Sequence, residues 1–376
     1  MRICILFLWA FLIWSCTKDH AATDPLEKAL TSDHPKIRRV MDSVDRYEVQ
    51  IKYTQIDRSK DSIVFTDFDF QVHDSVYFYP ASTVKLPIAV LALERLHQTD
   101  SLNVLTKYYV EGDTIESTVA QDISAIFAVS DNLANNRLFE LLGQNAINSS
   151  LNQKNIGPVR ISHRLGYHSE DLRTKPLVVY LNDSTTGMTV PSYNTNPEPL
   201  KLQNIKKGIG YMANGKQIDE PFDFSLKNYL PISSLHSILK RIIFPEQFNP
   251  KEQFHISEQQ RELLLNAMST VPRKVGYDQN TFHDGYCKFF MYGDSNEEIP
   301  TSLNIYNKVG FAYGTVTDCA YIKDTANNVE FLLTATLLVN EDGIFNNDHY
   351  EFNEIGIPFL AQLGREIYDL ELKRKQ

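Results

Sequence analysis

The sequence predicts an α/β (α+β) chain in which an antiparallel sheet is built from both chain ends, flanked by terminal helices, around an inserted all-helical subdomain. Three observations predict it. Apolar and polar residues alternate early, from Tyr47 and again in "SIVFTDFDFQV", and late, in "SLNIYNKVG", "DCAYIKD" and "VEFLLTATLLVN"; a period of two marks half-buried strands. The stretch between them has mainly helical spacing, as in "SAIFAVSDNLANNRLFELLG" and "SEQQRELLLNAM". A closing segment, "GIPFLAQLGREIYDLEL", is amphipathic with helical period. Strands from both ends share one sheet if the middle is looped out of it, and a site is then expected between the two parts.

Each element follows in order. Ile37, Val40, Met41 and Val44 space as a helix, and the polar break from Asp57 to Asp61 separates the two strands of a hairpin. Ile88, Val90, Leu91, Leu93 and Leu96 form a mostly buried helical stripe that opens at Ser82. Two further helices meet at Ser130-Asp131-Asn132, and Thr325 to Asn328 is a turn between two late strands. The body is read as residues 35–376, with a sheet part (35–81 and 296–376) and a helical part (82–295) carrying an insertion at about 175–255.

At 376 residues, with 43% hydrophobic and 22% charged residues, the chain has ordinary globular composition and can build a sizeable core. Its formal net charge of -10 is spread along the chain, which argues against nucleic acid as a partner. The opening "MRICILFLWAFLIWSC" has one arginine, a short apolar run, a small residue and a cysteine, the pattern of an export signal. Its ending resembles a bacterial lipoprotein signal, which implies lipidation at Cys16, a signal over residues 1–16, a polar tether over 17–34 and a periplasmic, membrane-anchored body. Cys287 and Cys319 are too few for a disulfide framework and are read as buried thiols. No metal or cofactor site is expected, since His163 and His168, five apart, point to different helix faces.

Three short motifs carry chemistry, and each has a decoy. Ser82 and Lys85 share a helix face, so an amine can reach a hydroxyl and activate it, although an N-cap serine beside a solvated lysine spells the same tetrapeptide. Ser237 and Lys240 repeat the spacing inside "SSLHSILKRII", where the serine is mid-helix and structural. Ser130 and Asn132 on an interhelical turn offer a proton-shuttling hydroxyl and a substrate-binding amide, or merely a helix cap; Ser192-Tyr193-Asn194 lies among prolines with no helix after it. Lys308-Val309-Gly310 ends an alternating strand and is followed by another strand, so Gly310 permits close backbone approach and Lys308 adds positive charge. Lys206-Lys207-Gly208 and Lys274-Val275-Gly276 lack that setting. "GYMANGK", Gly210 to Lys216, nearly spells a phosphate loop but ends in Gln217.

In this order, with "FYPASTVKLP", "AVSDNLANNRLFELLG" and "NKVGFAYGTVTD" around them, the three motifs resemble the S-x-x-K, S-D-N and K-T-G set of class A β-lactamases and penicillin-binding proteins. The resemblance implies a serine hydrolase that forms an acyl-enzyme through Ser82. Lys85 would take the Ser82 proton directly or through water, Ser130 would pass one to the leaving nitrogen, Asn132 would hold a substrate amide, and Lys308 would face a carboxylate. The backbone N–H groups of Ser82 and Phe311 would form the oxyanion hole, and burial beside Lys308 would keep Lys85 neutral. The expected substrate is a small-molecule or peptidoglycan-like acyl compound. β-Lactamase-type amide hydrolysis is the leading activity, with a D-Ala-D-Ala peptidase or esterase, or a catalytically silent cell-envelope binding protein, as alternatives.

The match has three departures. In "VRISHRLGYHSEDLRTKPL" Glu170 is the nearest counterpart of the family's deacylating glutamate, but its surroundings differ. Val309 lacks the hydroxyl usual at its position, and "TVTDCAYIKD" on the next strand has no arginine.

Overall fold

The computed structural model describes residues 24–60, 62–99, 102–166 and 171–376. The expected signal, Cys16 and Glu170 lie outside them. Among the described residues no helix is long and apolar enough to cross a membrane.

The chain opens with α1 (Pro25–Leu30), α2 (Pro35–Met41) and α3 (Val44–Tyr47). The first corrects the reading of residues 17–34 as a tether throughout. Asp24 caps α1 by accepting from the Leu26 N–H at 2.8 Å, Pro25 is pre-set for the first turn, and Leu26, Ala29 and Leu30 are buried. The hairpin follows as β1 (Gln50–Arg58) and β2 (Ile63–Phe70). A 3-10 turn, Ala81–Val84, runs directly into α4 (Lys85–His97), whose apolar residues are buried nearly all round. The helical part continues with β3 (Tyr108–Val110), α5 (Val119–Ala128), α6 (Asn132–Leu142) and α7 (Gln144–Gln153).

Residues 177–223 carry short strands: β4 (Leu177–Asn182), β5 (Thr185–Met188), β6 (Lys206–Lys207), β7 (Gly210–Ala213), β8 (Lys216–Ile218) and β9 (Phe222–Asp223). The inserted part is thus mainly helical but not all-helical: β3, β4 and β5 form one small sheet, β6 and β9 a second, and β7 and β8 with β13 (Ile344–Phe345) a third. From Ile232 the chain is back in the core as α8 (Ile232–Ile243), then α9 (Glu258–Ser269), which starts with a reciprocal Ser257/Gln260 capping box, and the short turn α10 (Phe289–Tyr292).

The main sheet closes with β10 (Leu303–Ala312), β11 (Thr315–Asp324) and β12 (Val329–Leu338), and the chain ends in α11 (Ile357–Lys375). Strand order is β10-β11-β12-β1-β2, antiparallel throughout, so strands from both ends share one sheet as expected. Alternation sorts the side chains. In β12, Val329, Phe331, Leu333, Ala335 and Leu337 join the core under the terminal helices, while Leu332 joins the core under the helical part, with Cys319 and Tyr321 of β11. A third cluster, of Tyr77, Tyr79, Phe224, Tyr229 and Phe345, packs the inserted strands against the end of the main sheet. β10 is an edge strand and faces the 3-10 turn that carries Ser82.

Candidate active site

Ser82 lies on a tight turn held from within. The Thr83 N–H and hydroxyl both donate to the Pro80 carbonyl, at 3.1 and 2.6 Å, and Ala81 has φ +45, a left-handed conformation that an L-residue adopts only under constraint. Ser82 is half-buried and faces a cleft, whereas Lys85, first residue of α4, is fully buried.

The interhelical turn supplies the second group. Ser130 has φ +58, and Asp131 caps α6 by accepting from the Ala134 N–H at 2.7 Å. Asp131 thus caps α6, as the helix-cap reading has it, and its neighbours Ser130 and Asn132 contact the buried lysine. Lys85 Nζ donates to the Ser130 carbonyl, to Asn132 Oδ1 at 2.7 Å and to Ser130 Oγ at 3.2 Å. Lys308 Nζ donates to the same Ser130 Oγ at 2.8 Å and to the Val309 carbonyl at 2.8 Å. One hydroxyl thus bridges two lysines. Burial, then the Lys308 charge, pushes the Lys85 amine well below its ordinary range, and burial brings Lys308 down to about 8.

Gly310 explains how β10 reaches the turn. A Cβ there would stand 2.8 Å from the Pro80 oxygen and the Thr83 nitrogen and 2.9 Å from the Ser82 nitrogen, all backbone atoms. Only glycine permits that approach, and it brings the backbone at Phe311 beside Ser82 on the cleft wall. Val309 points the other way, into the core under the terminal helices.

Behind Lys308 is a buried polar chain that no sequence pattern announced. Lys288 Nζ donates to the Met268 carbonyl at 2.6 Å and to Asn307 Oδ1 at 2.7 Å; Asn307 Nδ2 donates to Asp318 Oδ1 at 2.8 Å; Asp318 Oδ2 accepts from the Phe290 N–H at 3.1 Å. Asp318 pairs across the strands with Val309, whose side chain lies in the core under the terminal helices. Burial lifts the Asp318 carboxyl to about 6 and lowers Lys288 to about 8. Cys287 and Cys319 are both buried free thiols, as the cysteine count suggested.

The cleft, about 220 Å³, lies between Ser82, Asn132, the Phe311–Tyr313 segment and residues 163–166. The last are anchored by Arg164, which is buried and paired in two-pronged fashion with Glu140 at 2.5 and 2.9 Å. Its Nη1 and Nη2 donate to the Asp171 and Arg173 carbonyls at 2.6 and 2.9 Å, so one guanidinium ties both ends of the loop to α6. Among the described residues lining the cleft none is a carboxylate. His163 is no free base either: Nδ1 is 2.5 Å from the Arg164 carbonyl, Nε2 accepts from the Asn228 N–H at 3.3 Å, and burial lowers the imidazole to about 4.

The decoys stay apart from this site. Ser237 is mid-helix in α8 with its hydroxyl taken by Arg241, and Lys240 lies 3.9 Å over the Phe65 ring. Lys274-Val275 is a 3-10 turn ending at Gly276, and Lys207 pairs with Glu48. Asn194, on a loop, accepts from the Asn145 N–H at 3.4 Å. "GYMANGK" is the β7–β8 hairpin, with Asn214 and Gly215 both at positive φ in its turn.

A model described as the Beta-lactamase enzyme family matches residues 35–192. No curated protein matches the chain by sequence. Solved structures similar in fold include a class A β-lactamase from Mycobacterium abscessus (TM-score 0.50, 16% identity, 87% of this chain and 95% of that one). Two others are β-lactamases from Xanthomonas campestris pv. campestris (0.52, 14%, 92% and 97%) and Sphaerobacter thermophilus (0.51, 12%, 91% and 94%). The chain is therefore β-lactamase-like, in sequence over residues 35–192 and in fold over most of its length.

Proposed function

We propose that this β-lactamase-like chain is a serine hydrolase that forms an acyl-enzyme on Ser82, with β-lactamase-type amide hydrolysis as its activity. The observation that carries the proposal is the Ser130 hydroxyl held between Lys85 and Lys308 beside the turn that presents Ser82. Loss of one proton leaves Lys85 two N–H groups for its two shorter acceptors and a lone pair for a hydroxyl proton. In acylation the Ser82 oxygen bonds to the carbonyl carbon and its proton passes to Lys85. Collapse of the tetrahedral intermediate breaks the carbon–nitrogen bond, and the leaving nitrogen receives a proton from Ser130, which Lys85 replenishes. The N–H groups of Ser82 and Phe311 stabilise the oxyanion, and the Lys308 ammonium attracts a substrate carboxylate. Water then cleaves the ester, returning the proton to Ser82 and releasing the acid. By the N-terminal sequence, the enzyme is exported and held at a membrane through Cys16.

A second reading, acyl transfer from a peptide or ester with slow deacylation, draws on Val309, which turns into the core and offers the cleft no hydroxyl. Chromogenic cephalosporin hydrolysis tests the proposal. Turnover lost in Ser82→Ala supports β-lactamase activity; a stoichiometric burst without turnover supports the second reading; an unchanged Ser82→Ala rate would sink both.

A further inference from the structure

Behind Lys308, the buried chain of Lys288, Asn307 and Asp318 belongs to none of the three motifs. We infer that Asp318 is a positioning residue for the reaction proposed above: through Asn307 it fixes β10 beside the cleft, and it supplies the buried counter-charge to the Lys308 ammonium. This inference rests on the serine-hydrolase reading, in which Lys308 serves Ser130 and the substrate.

Donor and acceptor chemistry orders the chain. The Lys288 ammonium can only donate, so the Asn307 amide turns its oxygen toward it, at 2.7 Å. That leaves Asn307 Nδ2 to donate to the Cys287 carbonyl and to Asp318 Oδ1, both at 2.8 Å. Asp318 Oδ2 accepts from the Phe290 N–H at 3.1 Å, so both of its oxygens accept, as those of a carboxylate do.

Placement is the first argument. Asn307 immediately precedes Lys308, and alternation along the strand puts the two side chains on opposite faces of β10. The three bonds of Asn307, to residues 287, 288 and 318, hold the strand against rotation at this point. The Lys308 side chain is thereby aimed at the Ser130 hydroxyl, 2.8 Å away.

Charge is the second. Lys308 Nζ donates to a hydroxyl and to a backbone carbonyl, both neutral. The titratable groups around it are Lys85 of α4, Cys287 and Lys288 from the turn before α10, and Asp318 of β11. Asp318 is the carboxylate among them, and it is buried, so salt screens it little. For stability alone, apolar side chains of the same volume commonly serve as well as a buried lysine and aspartate. They could not hold a fixed negative charge opposite Val309, the neighbour of Lys308.

The experiment follows second-order acylation of Ser82 by a reporter penicillin against pH, from about 6.5 to 10, across the range where Lys308 loses its proton. It compares the unmodified protein with Asp318→Asn, which keeps the shape and removes the charge, and with Lys288→Met/Asp318→Asn. The double variant leaves no Lys288 charge buried without its partner, so it carries the test where the single variant does not fold. In the unmodified protein the rate should decline above about pH 8. In Asp318→Asn that decline should begin about one pH unit lower, as loss of a nearby opposite charge requires. The double variant should move the same way by less, because it also loses a neighbouring cation. A decline that stays near pH 8 or moves upward in a folded variant, whatever the rate, would make the chain structural only and overturn the inference. An unmodified protein that is never acylated on Ser82 would instead overturn the serine-hydrolase reading, and the inference with it.

Discussion

Gly310→Ala replaces one hydrogen by a methyl group at the point where the edge strand meets the nucleophile turn. The new Cβ would stand 2.8–2.9 Å from three backbone atoms of residues 80–83, roughly half an ångström inside ordinary contact. No side chain can swing aside to relieve this, because all three neighbours are main chain. Strand and turn must therefore part, and Ser82 shifts relative to Phe311 and Lys308. Overpacking of this kind costs about 1–3 kcal/mol of stability. A misplacement approaching 1 Å at a reacting centre costs about 10²-fold in rate. Second-order acylation by a reporter penicillin, measured with thermal unfolding of the same sample, should fall by about 10–100-fold while the protein stays folded. Acylation at the parent rate in a folded Gly310→Ala protein would refute the claim that this contact positions the site.

Other predictions follow from the same contacts. Because burial holds Lys308 at about 8 and its role requires the ammonium, kcat/KM should decline above about pH 8; Lys308→Arg should move that limb upward, and a profile flat to about pH 10 would contradict the assignment. The stability counterpart has the opposite trend: from about 8 to the ordinary lysine value of 10.5 the unfolded chain binds more protons than the native one at Lys288 and Lys308, so their contribution to stability rises with pH there, measurable by urea unfolding of the parent against Lys288→Met. Glu140→Ala leaves the Arg164 guanidinium buried without its carboxylate and should cost about 3–5 kcal/mol, with faster proteolysis near residues 164–175; an unchanged unfolding midpoint would count against the anchor. Ser237→Ala removes a hydroxyl engaged with Arg241 and should cost about 1 kcal/mol with no change in acylation, whereas loss of activity would return this decoy to consideration.

Much of this architecture was legible because it depends on period. Val329, Phe331 and Leu333 alternate so strictly that strand, face and burial follow from their spacing. Ser82, Lys85, Ser130, Asn132 and Lys308 were legible as an ordered set; hydrogen bonds join the last four although Lys85 and Lys308 are far apart in the chain, and Ser82 lines the cleft with Asn132. The strands between residues 177 and 223 were not, since elements of two to six residues carry too little alternation to separate from loop. The helix at Pro25–Leu30 was lost among polar neighbours, although Asp24-Pro25 was a start signal in plain view. Lys288, Asn307 and Asp318 gave no warning because a charged residue in a strand pattern reads as solvent-facing until the partners that satisfy it are known.

Every step proposed for this chain passes through an acylated Ser82. Intact mass of the body incubated with a penicillin and a cephalosporin, sampled from seconds to hours and followed by peptide mapping, tests it most directly. One adduct per chain is expected on the peptide carrying Ser82, absent from Ser82→Ala. Its decay would measure deacylation without Glu170 having to be assigned in advance. A folded protein that gains no mass from either compound, or that gains the same mass without Ser82, would contradict the account.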